Sequence, residues 1–253
     1  MMYSKLQFAH ALRRAFPRAP RREKKILCYV NHFFGRGNSF QGKSATQDPA
    51  CRRAIVLKAI NAVRLIGCQV ETRICGISGF SLVDIDIDFS SLSDPRMLIY
   101  SSIAHMASYL DEYDYFLNIE DDIYIPPQTV RNVFAFDETS GVSEVLHPNR
   151  IEFEDGAPFC VDLRAMPGWT TSRRTFARHA LAVALNPHSG LMLLSRAKFA
   201  YAQQHVDFRR RERIIGDLMA SAYCNVHAPF ALWRSFDDIG YHTVEHLDRW
   251  MGP

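Results

Sequence analysis

Glu120, Asp121 and Asp122 place three carboxylates in a row between apolar neighbours, Tyr115-Phe116-Leu117-Asn118-Ile119 before them and Ile123-Tyr124-Ile125-Pro126 after. Three adjacent negative charges repel one another and are costly to take out of water. A divalent cation removes that cost, and hard carboxylate oxygens suit Mg²⁺ or Mn²⁺. The residues ahead of the triplet are aromatic, β-branched or apolar, as in a buried strand. If the strand continues, Glu120 and Asp122 point to one face and Asp121 to the other, so an acid-x-acid pair shares one ion. The plain alternative is an exposed acidic turn, and the apolar flanks on both sides argue against full solvation.

This stretch resembles the metal-binding acid-x-acid motif of GT-A glycosyltransferases, which sits at a strand end and holds the diphosphate of a nucleotide sugar through a metal. The resemblance is one of order and spacing from about Lys25 onward: an α/β first half, an acidic strand end, an acceptor-side second half and a late histidine. It implies a GT-A-like single α/β domain with a mixed, mainly parallel central sheet flanked by helices. It also implies a nucleoside-diphosphate sugar donor, a glycan, lipid-linked or other hydroxyl acceptor, and Mn²⁺ or Mg²⁺ bridging Glu120 and Asp122 to the diphosphate. Many GT-A enzymes add a late histidine to the metal. The tail Tyr241 to Trp250 holds two, four residues apart and on one face if helical; His242 is the first choice and His246 the second.

The helix expected from Arg209 to Cys224 carries one acid, Asp217, in its apolar part. A buried carboxylate needs a partner, a capping role or a catalytic one. The exostosin-like branch of GT-A enzymes has an acidic pair and an apolar helix at about this distance after the metal motif. Gly216-Asp217-Leu218-Met219-Ala220 is similar, with Gly216 where the first acid would stand. Asp217 is therefore the expected catalytic residue, either as base in an inverting reaction or beside an oxocarbenium-like state in a retaining one. The branch itself is retaining.

Other elements must position these groups. Lys25 to Phe34 reads as the first buried strand, followed by a loop at Gly35-Arg36-Gly37-Asn38. Ligands of open α/β sheets lie beyond the carboxyl ends of the strands, which sets Asn31, His32 and Arg36 near a base or diphosphate, with Asp121 on the same donor side. His32 is equally an ordinary hydrogen-bonded strand-end residue. No GxGxxG or Walker lysine pattern is present, which argues against a dinucleotide fold or a P-loop. Helical spacing from Cys51 to Ile66 and a strand at Gln69 to Ile77 complete a βαβ unit. Ser81 to Phe89 sets Asp84, Asp86 and Asp88 on one face, a competing metal site, although a half-exposed strand has the same alternation. Pro95 to Tyr113 is a helix whose Arg96 is either a phosphate contact or a solvated helix end.

In the second half, Gln128 to Phe136 reads as a short helix and Val142 to Phe153 as a strand broken at Pro148. Residues 154–180 read as a long irregular stretch of a kind that is either functional or disordered. There Trp169 suits stacking on a sugar, and Arg173 or Arg174 pairing with phosphate; a core tryptophan and solvated arginines are the plain alternatives. The bend Asn186-Pro187-His188-Ser189-Gly190 leads into a strand at Leu191 to Leu194 and fits the acceptor wall of a pocket or an ordinary loop. Ser195 then caps a helix to His205.

The chain has 253 residues, 47% hydrophobic and 23% charged, enough for one α/β domain or two small ones. The division expected is a basic arm over 1–24 and a domain over 25–253, with a nucleotide-sugar half (25–125) and an acceptor half (126–253). Lys5 to Phe16 is partly amphipathic, so the arm either packs on the domain or rests on an anionic membrane surface. A net charge of +3 without a recognition motif excludes nucleic acid as the expected partner. The six cysteines show no C-x-x-C pair, Cys28, Cys68 and Cys75 read as reduced core thiols, and no run of about 18 apolar residues or secretory signal is seen. A cytoplasmic protein, peripheral at the inner face of the membrane if the arm binds there, is the expectation. Two other classes share some of these features: a sugar-nucleotide nucleotidyltransferase, and a non-catalytic carbohydrate- or partner-binding domain.

Overall fold

The computed structural model describes residues 23–35, 48–165, 168–210 and 218–248. Residues 1–22 of the basic arm, Arg36 and Asp217 lie outside them.

Strand β1 (Lys25–Asn31) is apolar on both faces because it runs through the middle of a covered sheet. Leu27 and Tyr29 enter one core, and Ile26, Cys28 and Val30 the other. Helix α1 (Pro49–Arg64) follows, its start fixed by the Asp48 carboxylate accepting the Cys51 amide at 2.8 Å. Next come β2 (Gln69–Gly76), the two-residue β3 (Ile87–Asp88), a 3₁₀ turn at Pro95–Met97 and helix α2 (Leu98–Met106). Strand β4 (Tyr115–Glu120) then returns beside β1, with Tyr115, Leu117 and Ile119 on one side and Phe116 on the other.

The second half supplies β5 (Ile123–Tyr124), α3 (Pro127–Asp137), β6 (Glu144–Leu146), β7 (Asn149–Glu154), β8 (Ala157–Cys160) and α4 (Val161–Ala165). It continues through β9 (Trp169–Phe176), β10 (His179–Ala184), β11 (Leu191–Ser195), α5 (Arg196–His205), α6 (Leu218–Val226), β12 (Ala231–Ser235) and β13 (Thr243–His246).

The architecture is α/β. Its five-stranded sheet has the order β11-β4-β1-β2-β3, parallel throughout except for β11, which runs antiparallel to β4. The chain leaves β1 for β2 on one side and comes back to β4 on the other, so the order reverses between β1 and β4. Two further four-stranded sheets, β6-β12-β10-β9 and β5-β13-β7-β8, were not expected from the sequence.

Three stretches differ from their sequence reading. Residues 154–180 hold two hairpins and a short helix instead of irregular chain. Asp155 (φ 51°) and Gly156 (φ 81°) form the left-handed two-residue turn between β7 and β8, and Ala177 (φ 48°) and Arg178 (φ 76°) do the same between β9 and β10. The aspartate ladder of 84–88 is strand only at Ile87–Asp88. Two of its carboxylates serve the backbone: Asp86 accepts the Ile74 amide at 2.7 Å and Asp88 the Ser78 amide at 3.1 Å. The tail is strand β13 and not helix, paired parallel to β7 and antiparallel to β5. Among the described residues no helix is long and apolar enough to cross a membrane.

Candidate functional site

The parallel register sets Asn31, Cys75 and Glu120 side by side at the carboxyl edge of the sheet. Glu120 is the last residue of β4, and Asp121 and Asp122 form the turn into β5. The acidic triplet therefore sits at the reversal point between β1 and β4, where open α/β sheets leave a crevice for ligands.

Each acid has a different setting. Asp121 is buried and faces inward: His32 Nδ1 hydrogen-bonds to its Oδ2, and Arg52 Nη2 lies 2.6 Å from its Oδ1. The Leu82 amide donates to His32 Nε2 at 2.9 Å, so the ring proton is on Nδ1 and is donated to Asp121. Asp122 Oδ2 lies 3.4 Å from Arg52 Nη1 and 3.5 Å from His246 Nε2. Arg52 also reaches Asp248 Oδ2 at 3.2 Å, so one guanidinium from α1 spans three carboxylates. Glu120 Oε1 faces His188 Nε2 at 3.9 Å.

A second ring of charges stands behind the first. His246 Nδ1 is 2.6 Å from Glu152 Oε1, and His188 Nδ1 is 3.1 Å from Asp162 Oδ1. Asp162 is held in turn by Arg150 at 3.0 Å and by Arg234, fully buried, at 3.6 Å. Burial by itself would raise the Asp122 carboxyl, but His246, then Arg52 and Arg150, hold it well below the ordinary carboxylate range. Asp162 is lowered likewise, with Arg150 the leading opponent of its burial. Burial lowers His246, yet Asp122 and Glu152 outweigh it and push the ring up to about 9.

The donor set suits a divalent cation. Among the described residues, Glu120, Asp121, Asp122, Glu152, Asp162 and Asp248 gather around Arg52, Arg150, Arg234 and the charged ring of His246, so that acids outweigh bases and the cluster is negative. Asp122 Oδ1 is buried without a hydrogen-bond donor among the described residues. Among the described residues, no group of three or more His, Cys, Asp or Glu side chains is arranged to hold a metal ion.

The other residues expected from the sequence fall into place as follows. Asn31 is buried, its amide donating to Asn118 Oδ1 at 2.7 Å on β4. Arg96 pairs with its own neighbour Asp94 at 2.7 Å. His242 is buried with its Nε2 3.3 Å from the Leu146 carbonyl oxygen; His246 is the tail histidine that reaches the acids, with Nε2 3.5 Å from Asp122. Trp169 stands 5.9 Å from Phe236, over which Arg173 lies at 5.1 Å. Arg36 and Asp217 are outside the described residues.

Arg52, Arg150, Glu152, Asp162, Arg234 and Asp248 were not singled out in the sequence. Arg52 had a signal: it lies four residues before Val56 on the stripe that α1 buries. Compared with protein-family models and with curated proteins, the chain matches none.

Proposed function

We propose that the protein is a metal-dependent glycosyltransferase of GT-A type, which transfers a sugar from a nucleoside-diphosphate sugar to a hydroxyl acceptor. The observation that carries this reading is the negative carboxylate cluster at the reversal point of a mainly parallel sheet. A nucleotide placed there would lie beyond the ends of β1 and β2, beside the stacked pair Phe33 and Phe80, whose centroids are 5.4 Å apart. Phe80 is 44% exposed and offers a flat apolar face to a base.

Glu120 and Asp122 would hold the cation, with His246 beside Asp122. When bound, the ion supplies charge stabilisation to the leaving diphosphate. Arg52 and His246 keep Asp122 ionised and fix its orientation, while Asp121 ties the turn to His32. The hydroxyl of Tyr223 donates to Asn118 Oδ1 at 3.1 Å, which anchors α6 on β4. Asp217, immediately before α6 in the chain, would align the acceptor. The bend carrying His188 borders Glu120 and belongs to the acceptor side in this reading, together with Trp169 and Arg173.

Calorimetric titration of a panel of nucleoside-diphosphate sugars, with and without Mn²⁺, tests the proposal against Asp122→Ala. Metal-dependent binding of one nucleotide family, lost in the variant, is expected. Binding of none, with or without metal, would make the cluster structural and favour a non-catalytic binding domain.

A further inference from the structure

Leu185, Trp169 and Phe236 make one apolar patch on the outside of the sheet β6-β12-β10-β9. Leu185 is 56% exposed and Phe236 39%, and Trp169 is half-buried. The Leu185 amide donates to the Gly168 carbonyl at 3.2 Å, and a Cβ on Gly168 would lie 2.8 Å from Leu185 Cδ1, so the leucine covers the start of β9. The Trp169 ring is 5.9 Å from that of Phe236, over which the Arg173 guanidinium lies at 5.1 Å. The register sets Trp169 opposite Ala184 and Arg173 opposite Ala182, small buried residues that leave the surface to the larger side chains. Arg173 and, in the β9–β10 turn, Arg178 are exposed and form no ion pair among the described residues. The neighbouring acids are committed elsewhere. Asp237 accepts the Ala180 amide at 3.1 Å, and Asp238 faces His179 at 3.3 Å and accepts the Gly240 amide at 3.0 Å.

We propose that this patch docks the protein on an anionic phospholipid surface, with Leu185, Trp169 and Phe236 entering the headgroup layer and Arg173 and Arg178 meeting lipid phosphates. Tryptophan suits that depth because its ring is apolar and its N–H polar. Exposed arginines gain from the negative surface potential of such a membrane. Other occupants fit less well. A strand added to the free edge of β9 needs that edge's backbone groups. Here Arg173 Nη1 donates to the Thr170 and Ser172 carbonyls, and the Ser172 amide donates to Thr170 Oγ1 at 3.2 Å. A second copy packed patch to patch about a twofold axis would bring Arg173 and Arg178 of both chains into one interface as like charges. A sugar ring stacks on a flat face, whereas Trp169 and Phe236 are tilted by 57° and Leu185 offers no flat face. The chain runs from Leu185 directly into the bend at 186–190, whose His188 faces Glu120 at 3.9 Å. The inference does not depend on the transferase reading; within that reading, docking here would bring the acceptor side to lipid-linked acceptors.

The test is co-sedimentation of the full chain with vesicles of phosphatidylcholine alone and with about 30% phosphatidylglycerol, in EDTA and without nucleotide. Tryptophan emission is recorded on the same samples. Wild type should bind the anionic vesicles with a blue shift that is lost in Trp169→Phe. Leu185→Ser and Phe236→Ser should each lower the partition coefficient by about fivefold to tenfold. Arg173→Gln combined with Arg178→Gln should lower it by about twentyfold on anionic vesicles and leave the weak binding to phosphatidylcholine unchanged. If Leu185→Ser lacks a native melting transition, Phe236→Ser and the arginine pair carry the comparison. Wild-type binding that persists undiminished in every one of these variants would assign the membrane contact to another part of the chain and overturn the inference. So would a wild type that leaves anionic vesicles unbound. A Trp169-dependent shift with soluble maltohexaose and none with vesicles would overturn it as well, and make the patch a sugar platform.

Discussion

His246 and Asp122 are joined twice. Across β5 and β13 the backbone pairs Ile123 with His246, and the Leu247 amide donates to the Asp122 carbonyl at 2.8 Å. Their side chains meet as well, Nε2 to Oδ2 at 3.5 Å. The segment carrying β13 therefore closes over the acidic turn in a fixed register and brings it a positive charge.

That charge makes stability fall on the alkaline side. The folded His246 ring is pushed up to about 9, above its ordinary 6.5, so it binds its proton more tightly folded than unfolded. Its contribution is complete below pH 6.5 and is lost as pH rises toward 9. The loss is on the order of 3 kcal/mol at most. Denaturant midpoints measured from about pH 6 to about pH 9 should decline in wild type and stay nearly level in His246→Gln. An equal decline in the variant would assign it to another group.

Arg52 is the neutralising link of three buried or half-buried acids, Asp121, Asp122 and Asp248. Removing one partner of such a network leaves uncompensated charge inside, which costs about 3–5 kcal/mol. Arg52→Met should show a loss of this size in urea unfolding at neutral pH. Arg52→Lys should recover only part of it, because an ammonium cannot place separate N–H groups on Asp121 and Asp122 as the guanidinium fork does. Unchanged stability in Arg52→Met would mean that the cluster relaxes into water.

The contrast between Arg52 and the acidic triplet shows what the sequence could reveal. Continuous apolar runs marked β1 and β4, and helical spacing marked α1, because burial on one or both faces leaves those periods in the chain. The triplet stood out because charge interrupts such a run. The partners of the triplet come from the end of β1, α1, the bend before β11 and the tail, and the charges behind them from β7, α4 and β12, which only tertiary pairing brings together. Asp155-Gly156 is a hairpin signal that the sequence does carry, hidden among the turn formers of 154–180. The choice between His242 and His246 depended on β13 being a strand in register with β5, and no local pattern sets that register.

On the acid side a separate group controls stability. His147, His227 and His242 are all buried, and the rings of the first two meet edge to face at 4.7 Å. Burial, followed for His147 and His227 by the charge of Arg234, pushes His147 well down and His227 to about 3; burial brings His242 to about 3. Each folded ring resists a proton that the unfolded chain takes up near pH 6.5, so stability falls as pH drops below that value. The slope is about 1.4 kcal/mol per pH unit for each histidine. Asp122 and Asp162, whose lowered carboxyls lose their contribution only at still lower pH, leave the interval from about pH 6.5 to about 4.5 to the histidines. Unfolding free energies across that interval should fall steeply in wild type and less steeply in His242→Asn. Parallel curves for the two proteins would show that His242 takes no part.

Gly190 holds the bend against the acidic turn, with φ at 73° and its backbone close to two side chains. A Cβ at this position would lie 2.7 Å from Ile123 Cδ1, closer than such contacts allow, and 3.0 Å from Glu120 Oε2, which would have to give by a few tenths of an ångström. The Gly190→Ala change meets the left-handed backbone penalty of about 1–2 kcal/mol as well as the clash. This variant should therefore have a lower melting temperature, and the displacement of Glu120 should weaken Mn²⁺ binding beyond the loss of stability. A useful control is Gly67→Ala, where φ is 80° but nothing lies within 4 Å of the added carbon. That control should lose stability through backbone strain alone and keep wild-type Mn²⁺ affinity. Equal Mn²⁺ affinity in the two variants would mean that Glu120 does not depend on the approach of the bend.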